Sequence, residues 1–496
     1  MLDPAGRSIP VGNMPLAISP SPDGRFVVLS MSGWREQGIE VVNRATGRVV
    51  QRVTQPGAFL GLAWSADGAT LYSSGGATDR IYVYGWTPGD SQPARLRDSL
   101  DLDELHRPAT QRGARYPAGL AVSHDGRSLY VAENLADSLA VIDLASGRVA
   151  QRVGTGPYPY AVVASPDGQL YASDWGGTTV DAFHVTSDGR LGAERPIFVG
   201  RHPSALLLSP DGSRLFAASA TTDRVAAIDT RAHRVVAWLR DPPPEAVAEG
   251  ATPDAMALSA DGTRLFVAEA DANAVAEFEL SAVSSGVPRA SGADTLVGRI
   301  PTEWYPTAMM NAGDDSLWVV NGKGRGAGPN PNGPRAWKSS AQDDPRSYTL
   351  GQLDGTVTVL PAARGVALET MTHRVAHANG WDVARTSYRY PPITHVVYVI
   401  KENRTYDQVL GDLPQGDGDT SLTFFPRAIA PNHHALAERF GTYDRFFTNA
   451  EVSRQGHMWS TAGYVTDYIE KTTPDVYRGK RHEASDQGDE IDPALG

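Results

Sequence analysis

Ala205-Leu206-Leu207-Leu208-Ser209-Pro210-Asp211-Gly212-Ser213-Arg214-Leu215-Phe216-Ala217-Ala218-Ser219 is an apolar run, a turn and a second apolar run. Asp tolerates a left-handed backbone and bonds its own main chain, and Gly supplies the positive φ that a tight strand-joining turn requires. The stretch therefore predicts a β-hairpin. The same phrase recurs at Ser21-Pro22-Asp23-Gly24, Ser65-Ala66-Asp67-Gly68, Ser123-His124-Asp125-Gly126, Ser165-Pro166-Asp167-Gly168 and Ser259-Ala260-Asp261-Gly262, and Ala312-Gly313-Asp314-Asp315 reads as a degenerate seventh copy. Further strands follow each hairpin, such as Arg224-Val225-Ala226-Ala227-Ile228-Asp229, and turns such as Ala145-Ser146-Gly147 lead to a fourth. Four strands repeated every 42 to 58 residues match the blade of a β-propeller.

Seven copies predict seven blades. Ile9-Pro10-Val11-Gly12 looks like the end of a fourth strand, so it is expected to pair near Gly355-Thr356-Val357-Thr358-Val359-Leu360, closing the ring and hiding an edge. The repeats resemble the YVTN-type bacterial seven-bladed propellers over residues 8–361. The repeated Asp and Gly are turn formers, and no chemistry is assigned to them. Met256, Met309, Met310, Trp64, Trp175, Trp304 and Trp318 lie in or beside strands and read as packing.

Composition sets outer bounds. The chain has 496 residues, 50 Gly and 35 Pro, no Cys and a formal charge of −12. Abundant Gly and Pro favour a turn-rich fold, and the length calls for more than one domain. An acidic chain without a dense basic block lacks the electrostatic footing of a nucleic-acid binder. Without cysteine there are no disulfides, thiolate metal sites or cysteine nucleophiles, so any metal must be held by oxygen or nitrogen. No run approaches the roughly 20 apolar residues of a membrane-spanning helix, and the first residues lack a signal peptide's pattern. Gly322 to Pro334 is rich in glycine but lacks the Gly-Lys-Ser/Thr of a phosphate loop, and it predicts a long irregular loop. The Asp412–Asp419 loop lacks calcium-loop spacing and reads as solvated.

After Pro361 the repeat stops. Residues 362–392 read as a linker with a connector helix over Val366 to Ala378, and residues 393–496 as a separate domain. Ile393-Thr394-His395-Val396-Val397-Tyr398-Val399-Ile400 is the pattern of a strand buried on both faces, and it runs into Lys401-Glu402-Asn403-Arg404-Thr405-Tyr406-Asp407. Ligands of open α/β sheets gather beyond the carboxyl ends of strands. A carboxylate and an amide oxygen there could ligate a hard divalent cation, and Ser453 could supply an oxygen nucleophile. The plain alternative is that Glu402-Asn403 and Ser453 cap the helices that follow.

Glu402-Asn403-Arg404-Thr405-Tyr406-Asp407 with Gly411 resembles the Glu-Asn-Arg-Ser-Phe-Asp…Gly signature of the bacterial phospholipase C and acid phosphatase family, in the alkaline phosphatase superfamily. Asn432 to Phe440 and Tyr443 to Phe447 resemble later stretches of that family. Glu451-Val452-Ser453-Arg454-Gln455-Gly456-His457 occupies the place of its nucleophile motif, with Gly456 and His457 where the family has Asn and Arg. The resemblance implies a metal-dependent phosphoesterase acting through a phosphoseryl intermediate. Glu402 and Asn403 would help to hold one or more divalent metal ions, Ser453 would attack phosphorus, and His457 would contact phosphate or protonate the leaving group. Asp407 would support a ligand or cap a helix.

The implied fold is a seven-bladed all-β propeller followed by a partial α/β, alkaline phosphatase-like domain. The implied location is periplasmic or secreted, and the substrate is a phosphate ester. The family's further His and Asp ligands come from a later part of its domain, so the sequence reads as truncated. The competing reading is a propeller that binds a protein or glycan, with an inactive phosphatase-like segment. Lactonase or quinoprotein chemistry would need ligands at equivalent positions around the channel, and the sequence presents no such acidic or His cluster.

Overall fold

The repeated turn forms as its residues dictate, with one addition. In the first copy Gly24 has φ 69° and its N–H donates to the Ser21 carbonyl at 2.8 Å. The Ser21 hydroxyl donates to Asp23 at 2.6 Å and accepts from the N–H of Phe26 at 3.0 Å, so serine ties the turn to the following strand. The Ser-to-Asp bond recurs at 2.6 Å in the copies at Asp67, Asp125, Asp211 and Asp261. These hydroxyls are the main cause that lowers the pKa of Asp67, Asp125, Asp211 and Asp261.

The computed structural model describes residues 2–103, 105, 108, 112–240, 250–280, 295–313, 316–327, 346, 348–361, 363–383 and 389–478. Asp314 and Asp315 of the seventh turn, the glycine-rich segment from residue 328 and the closing stretch from residue 479 lie outside the described residues. Seven four-stranded antiparallel sheets form. Their first strands, Pro15–Pro20, Leu62–Trp64, Pro117–Val122, Pro159–Ala164, Pro203–Leu208, Pro253–Leu258 and Trp304–Asn311, neighbour one another around the ring and line its axis. In the seventh sheet the outermost strand is Arg7–Asn13, which pairs with Asp354–Leu360 in the register Ile9↔Val357. The ring is closed by its own N-terminus, as the sequence predicts.

Each blade is two-sided, so its middle strands are buried on both faces. Phe26–Ser32, Ser128–Glu133 and Arg264–Glu269 have every residue buried, including Glu133 and Glu269. Those carboxylates are paired: Glu133 with Arg152 at 2.9 Å and Glu269 with Arg299 at 2.8 Å. A buried charge is tolerated only with such a partner. After a short helix α1 (Thr349–Gln352), helix α2 (Val366–Ala378) lies on the outer strand Thr295–Pro301 of the sixth blade. Leu368 joins the core there, and Thr372 accepts from the N–H of Arg299 at 2.8 Å. The helix thereby covers a strand edge.

Two compact units result: residues 1–384 with 466–496, and residues 385–465. The second unit contains α3 (Tyr406–Leu410), α4 (Pro431–Phe440) and α5 (Ser453–Ala462), and no strand among its described residues. This differs from the α/β expectation. Ile393–Ile400 has the residue types of a buried strand but forms no ladder, and Val396 and Val397 are exposed. A lone strand is not stable without neighbours to take its main-chain hydrogen bonds, and the described residues of this unit provide none. The last helix, α6 (Asp467–Tyr477), packs with the propeller, unlike the single 393–496 domain expected. Among the described residues no helix is long and apolar enough to cross a membrane.

Candidate functional site

Two places carry the chemistry. The first is the mouth of the propeller, where the inner strands begin. In six blades the residue entering the inner strand has positive φ and precedes a proline: Met14 (51°), Tyr116 (49°), Tyr158 (53°), His202 (55°), Thr252 (58°) and Tyr305 (62°). Positive φ is uncommon for such side chains, and clusters of it mark functional sites.

The next question is what holds these backbones in place. Asp79, itself left-handed at φ 54°, accepts from the N–H groups of Gly113, Arg115 and Tyr116 at 2.7, 2.9 and 3.0 Å. Asp223 does the same for Gly250, Ala251 and Thr252 at 2.6, 2.9 and 3.2 Å, Asp137 for Tyr158 at 2.9 Å, and Asn273 for Tyr305 at 2.8 Å. One blade's turn thus clamps the entry of the next. The repeated residue-then-proline pair and the Asp or Asn before four of the third strands, Asp79, Asp137, Asp223 and Asn273, are the sequence signals for this ring. Sequence reading passed over them because the side chains differ from blade to blade.

Helix α6 sits in this mouth. Lys471 lies 3.0 Å from Asp254 and 2.8 Å from Asp467, and Glu470 lies 2.7 Å from Lys323. The hydroxyl of Tyr305 donates to Asp467 at 2.9 Å, Tyr116 to Asp475 at 3.1 Å, and Tyr468 to Asn134 at 2.6 Å. Trp175, read from sequence as packing, stacks on His202 at 4.4 Å and contacts the Tyr468 ring at 4.6 Å. Lys323 belongs to the strand Leu317–Gly324, so the start of the expected glycine-rich loop is strand. Burial works against the charge of Lys471, but Asp254 and Asp467 raise its pKa and keep it protonated. Burial pushes Asp271, beside Thr252, up to about 7. The acidic groups absent from the sequence reading are therefore present, at non-equivalent blade positions.

The second place is the unit 385–465. Ser453 is the first residue of α5, with Val452 as its N-cap, and both Ser453 and His457 are exposed. Ser453 is thus not the cap; it lies in the first turn, whose N–H groups have no partner within the helix. His457 lies four residues on, on the same helix face. Asn403 is left-handed at φ 74°, and Glu402 and Asn403 are exposed in the coil before α3. Thr405 caps α3 in a capping box with Gln408, so Glu402 and Asn403 are not its cap either. Asp407 accepts from the N–H of Asp419 at 2.8 Å. His434 is buried between Asp412 at 2.6 Å and the Ala430 carbonyl at 2.8 Å. Burial opposes its charge, yet these two acceptors raise its pKa.

No hydrogen bond or ion pair joins Glu402 and Asn403 to Ser453 and His457 among the described residues. Nor do three His, Asp or Glu side chains gather there as a metal site. Two exposed donors fall short of the six or more oxygens that a hard cation takes.

No protein-family profile and no curated protein matches the chain. Its likeness is to solved propellers. U3-55K is 13% identical, with a TM-score of 0.50 over 73% of this chain and 100% of that one. Hydrazine synthase of Kuenenia stuttgartiensis is 21% identical, with a TM-score of 0.48 over 62% and 93%. A streptogramin B lyase is 15% identical, with a TM-score of 0.48 over 72% and 97%. At these identities the likeness is one of fold: a seven-bladed β-propeller, an architecture shared by binding scaffolds and by enzymes of several kinds.

Proposed function

We propose that the chain is a phosphoester hydrolase in which Ser453 is the nucleophile and the propeller is a binding and positioning module. The observation that carries this reading is the place of Ser453, exposed in the first turn of α5. Helix N-termini favour phosphate oxygens through free N–H groups and the helix dipole. The signature Glu402 to Asp407 supports the same reading by resemblance.

In the reaction the Ser453 oxygen bonds phosphorus and the ester oxygen leaves as an alcohol. Water then attacks the phosphoserine, freeing phosphate and restoring the hydroxyl. In this reading His457, one turn along, would take the Ser453 hydroxyl proton and pass it to the leaving oxygen. A divalent cation, if bound, would add electrostatic stabilisation. Glu402 and Asn403 do not form a site for it by themselves, so no step is assigned to it.

The test is hydrolysis of p-nitrophenyl phosphate and bis-p-nitrophenyl phosphate with Mg²⁺, Ca²⁺, Mn²⁺ and Zn²⁺ in turn. Activity in the wild type that Ser453→Ala abolishes supports the reading. Activity kept by that variant would exclude Ser453 as nucleophile.

A second reading is favoured by the mouth: a propeller binding module whose partner is a peptide. It predicts ligand binding with no turnover under any of these metals.

A further inference from the structure

We propose that the propeller mouth is a helix-binding site selective for a lysine-bearing acidic helix, and that α6 is its exchangeable ligand, held in cis. All nine residues from Asp467 to Asp475 are buried, yet only Tyr468, Ile469 and Pro474 among them are apolar. A helix buried on every side is ordinarily apolar throughout. This one is recognised by matched polar groups instead, and they come from separate blades. Lys471 meets Asp254 of the sixth, Glu470 meets Lys323 of the seventh, and Tyr468 meets Asn134 of the third. At the far end the indole N–H of Trp34 donates to the Tyr477 carbonyl at 3.1 Å, and Arg478 donates to the Gly33 carbonyl at 3.2 Å.

Matched charges at buried positions give selectivity more than net stability, because desolvation offsets much of their attraction. The seat is therefore specific and releasable, while tethering keeps the local ligand concentration high. The left-handed entry residues support this, since the hydroxyls of Tyr116 and Tyr305 both donate to carboxylates of α6. The fit is also incomplete. The Tyr160 hydroxyl and the Trp175 indole N–H are buried beside α6 with no hydrogen-bond partner. A helix carrying acceptors at those points would compete. The ligand class is a helix with lysine flanked four residues to either side by aspartate, as Asp467, Lys471 and Asp475 are arranged, with an aromatic after the first aspartate.

The test uses the full chain. In the wild type, hydrogen exchange of the α6 amides should run at least about tenfold faster than that of the inner-strand amides, through an opening short of global unfolding. Exchange at the same rate as the inner strands would mean that α6 is part of the propeller core, and would overturn the proposal. In the second arm, a fluorescein-labelled peptide of residues 466–478 is titrated against the wild type and against Lys471→Glu, which places a third carboxylate beside Asp254 and Asp467. The variant, with α6 expelled, should bind the peptide at least about tenfold tighter than the wild type. A peptide carrying the same Lys-to-Glu change should not bind. Equal binding to both chains, or none to a variant whose near-ultraviolet circular dichroism matches the wild type, would overturn the proposal. If the variant does not fold, the exchange measurement on the wild type decides alone.

Discussion

The propeller and the unit 385–465 treat similar residues in opposite ways. In the propeller Val27, Val28, Leu29, Val131, Val267 and Phe266 are sealed between blades, whereas Val396, Val397, Phe446 and Phe447 in the other unit are all more than four-fifths exposed. The difference is one of where partners come from. Each blade strand pairs with the strand next to it in sequence, and closure needs only the N-terminal strand Arg7–Asn13. A strand like Ile393–Ile400 needs distant segments to make its sheet, and the described residues of its unit offer none. Local pairing makes a fold from repeats alone, while non-local pairing depends on the rest of a domain.

The comparison can be broken first through the mouth clamps. Asp79→Ala removes one carboxylate that serves three main-chain N–H groups and leaves them buried, so it should cost about 3 kcal/mol or more in urea unfolding. A loss under about 1 kcal/mol would show that the clamps do not hold the entry residues. The corresponding change in the other unit, Asp407→Ala, removes one exposed acceptor and should cost less than about 1 kcal/mol.

Titration sharpens the contrast next. In the fourth blade burial, and then the Asp181 carboxylate, push Asp174 up to about 8, while burial brings Asp181 to about 6. The folded state therefore holds protons that the unfolded chain has released above about pH 4. This pair's contribution is greatest at or below about pH 4 and falls as pH rises toward about 8, with a slope of up to about 1.4 kcal/mol per pH unit from each group. Asp174→Asn should flatten the stability profile over that window when unfolding is followed at successive pH values. An unchanged profile would contradict the assignment. At the small end, Val397→Ser should change stability by less than about 0.5 kcal/mol, because the side chain is already in water.

These expectations separate what the sequence makes legible from what it does not. The blade turns were readable because Ser, Asp and Gly act within five residues of one another, and the ring closure because Ile9 and Val357 share a strand pattern. The mouth was not, because its clamp joins Asp79 to Tyr116 and its ligand joins Lys471 to Asp254, pairs that only the closed ring brings together. Ser453 was found by resemblance to a nucleophile motif, and the structure adds that it opens a helix and does not cap one. The strand reading of Ile393–Ile400 depended on a sheet, which composition cannot supply.

The central functional claim is that Ser453 forms a bond to phosphorus. The direct measurement is to quench the full-length protein during turnover of a phosphate ester and to map phosphorylation by peptide mass spectrometry. The account predicts one phosphoryl group on the peptide containing Ser453, absent in Ser453→Ala, with activity lower by at least about 10³-fold in that variant. Turnover without phosphorylation of Ser453, or phosphorylation elsewhere with activity retained in the variant, would contradict it.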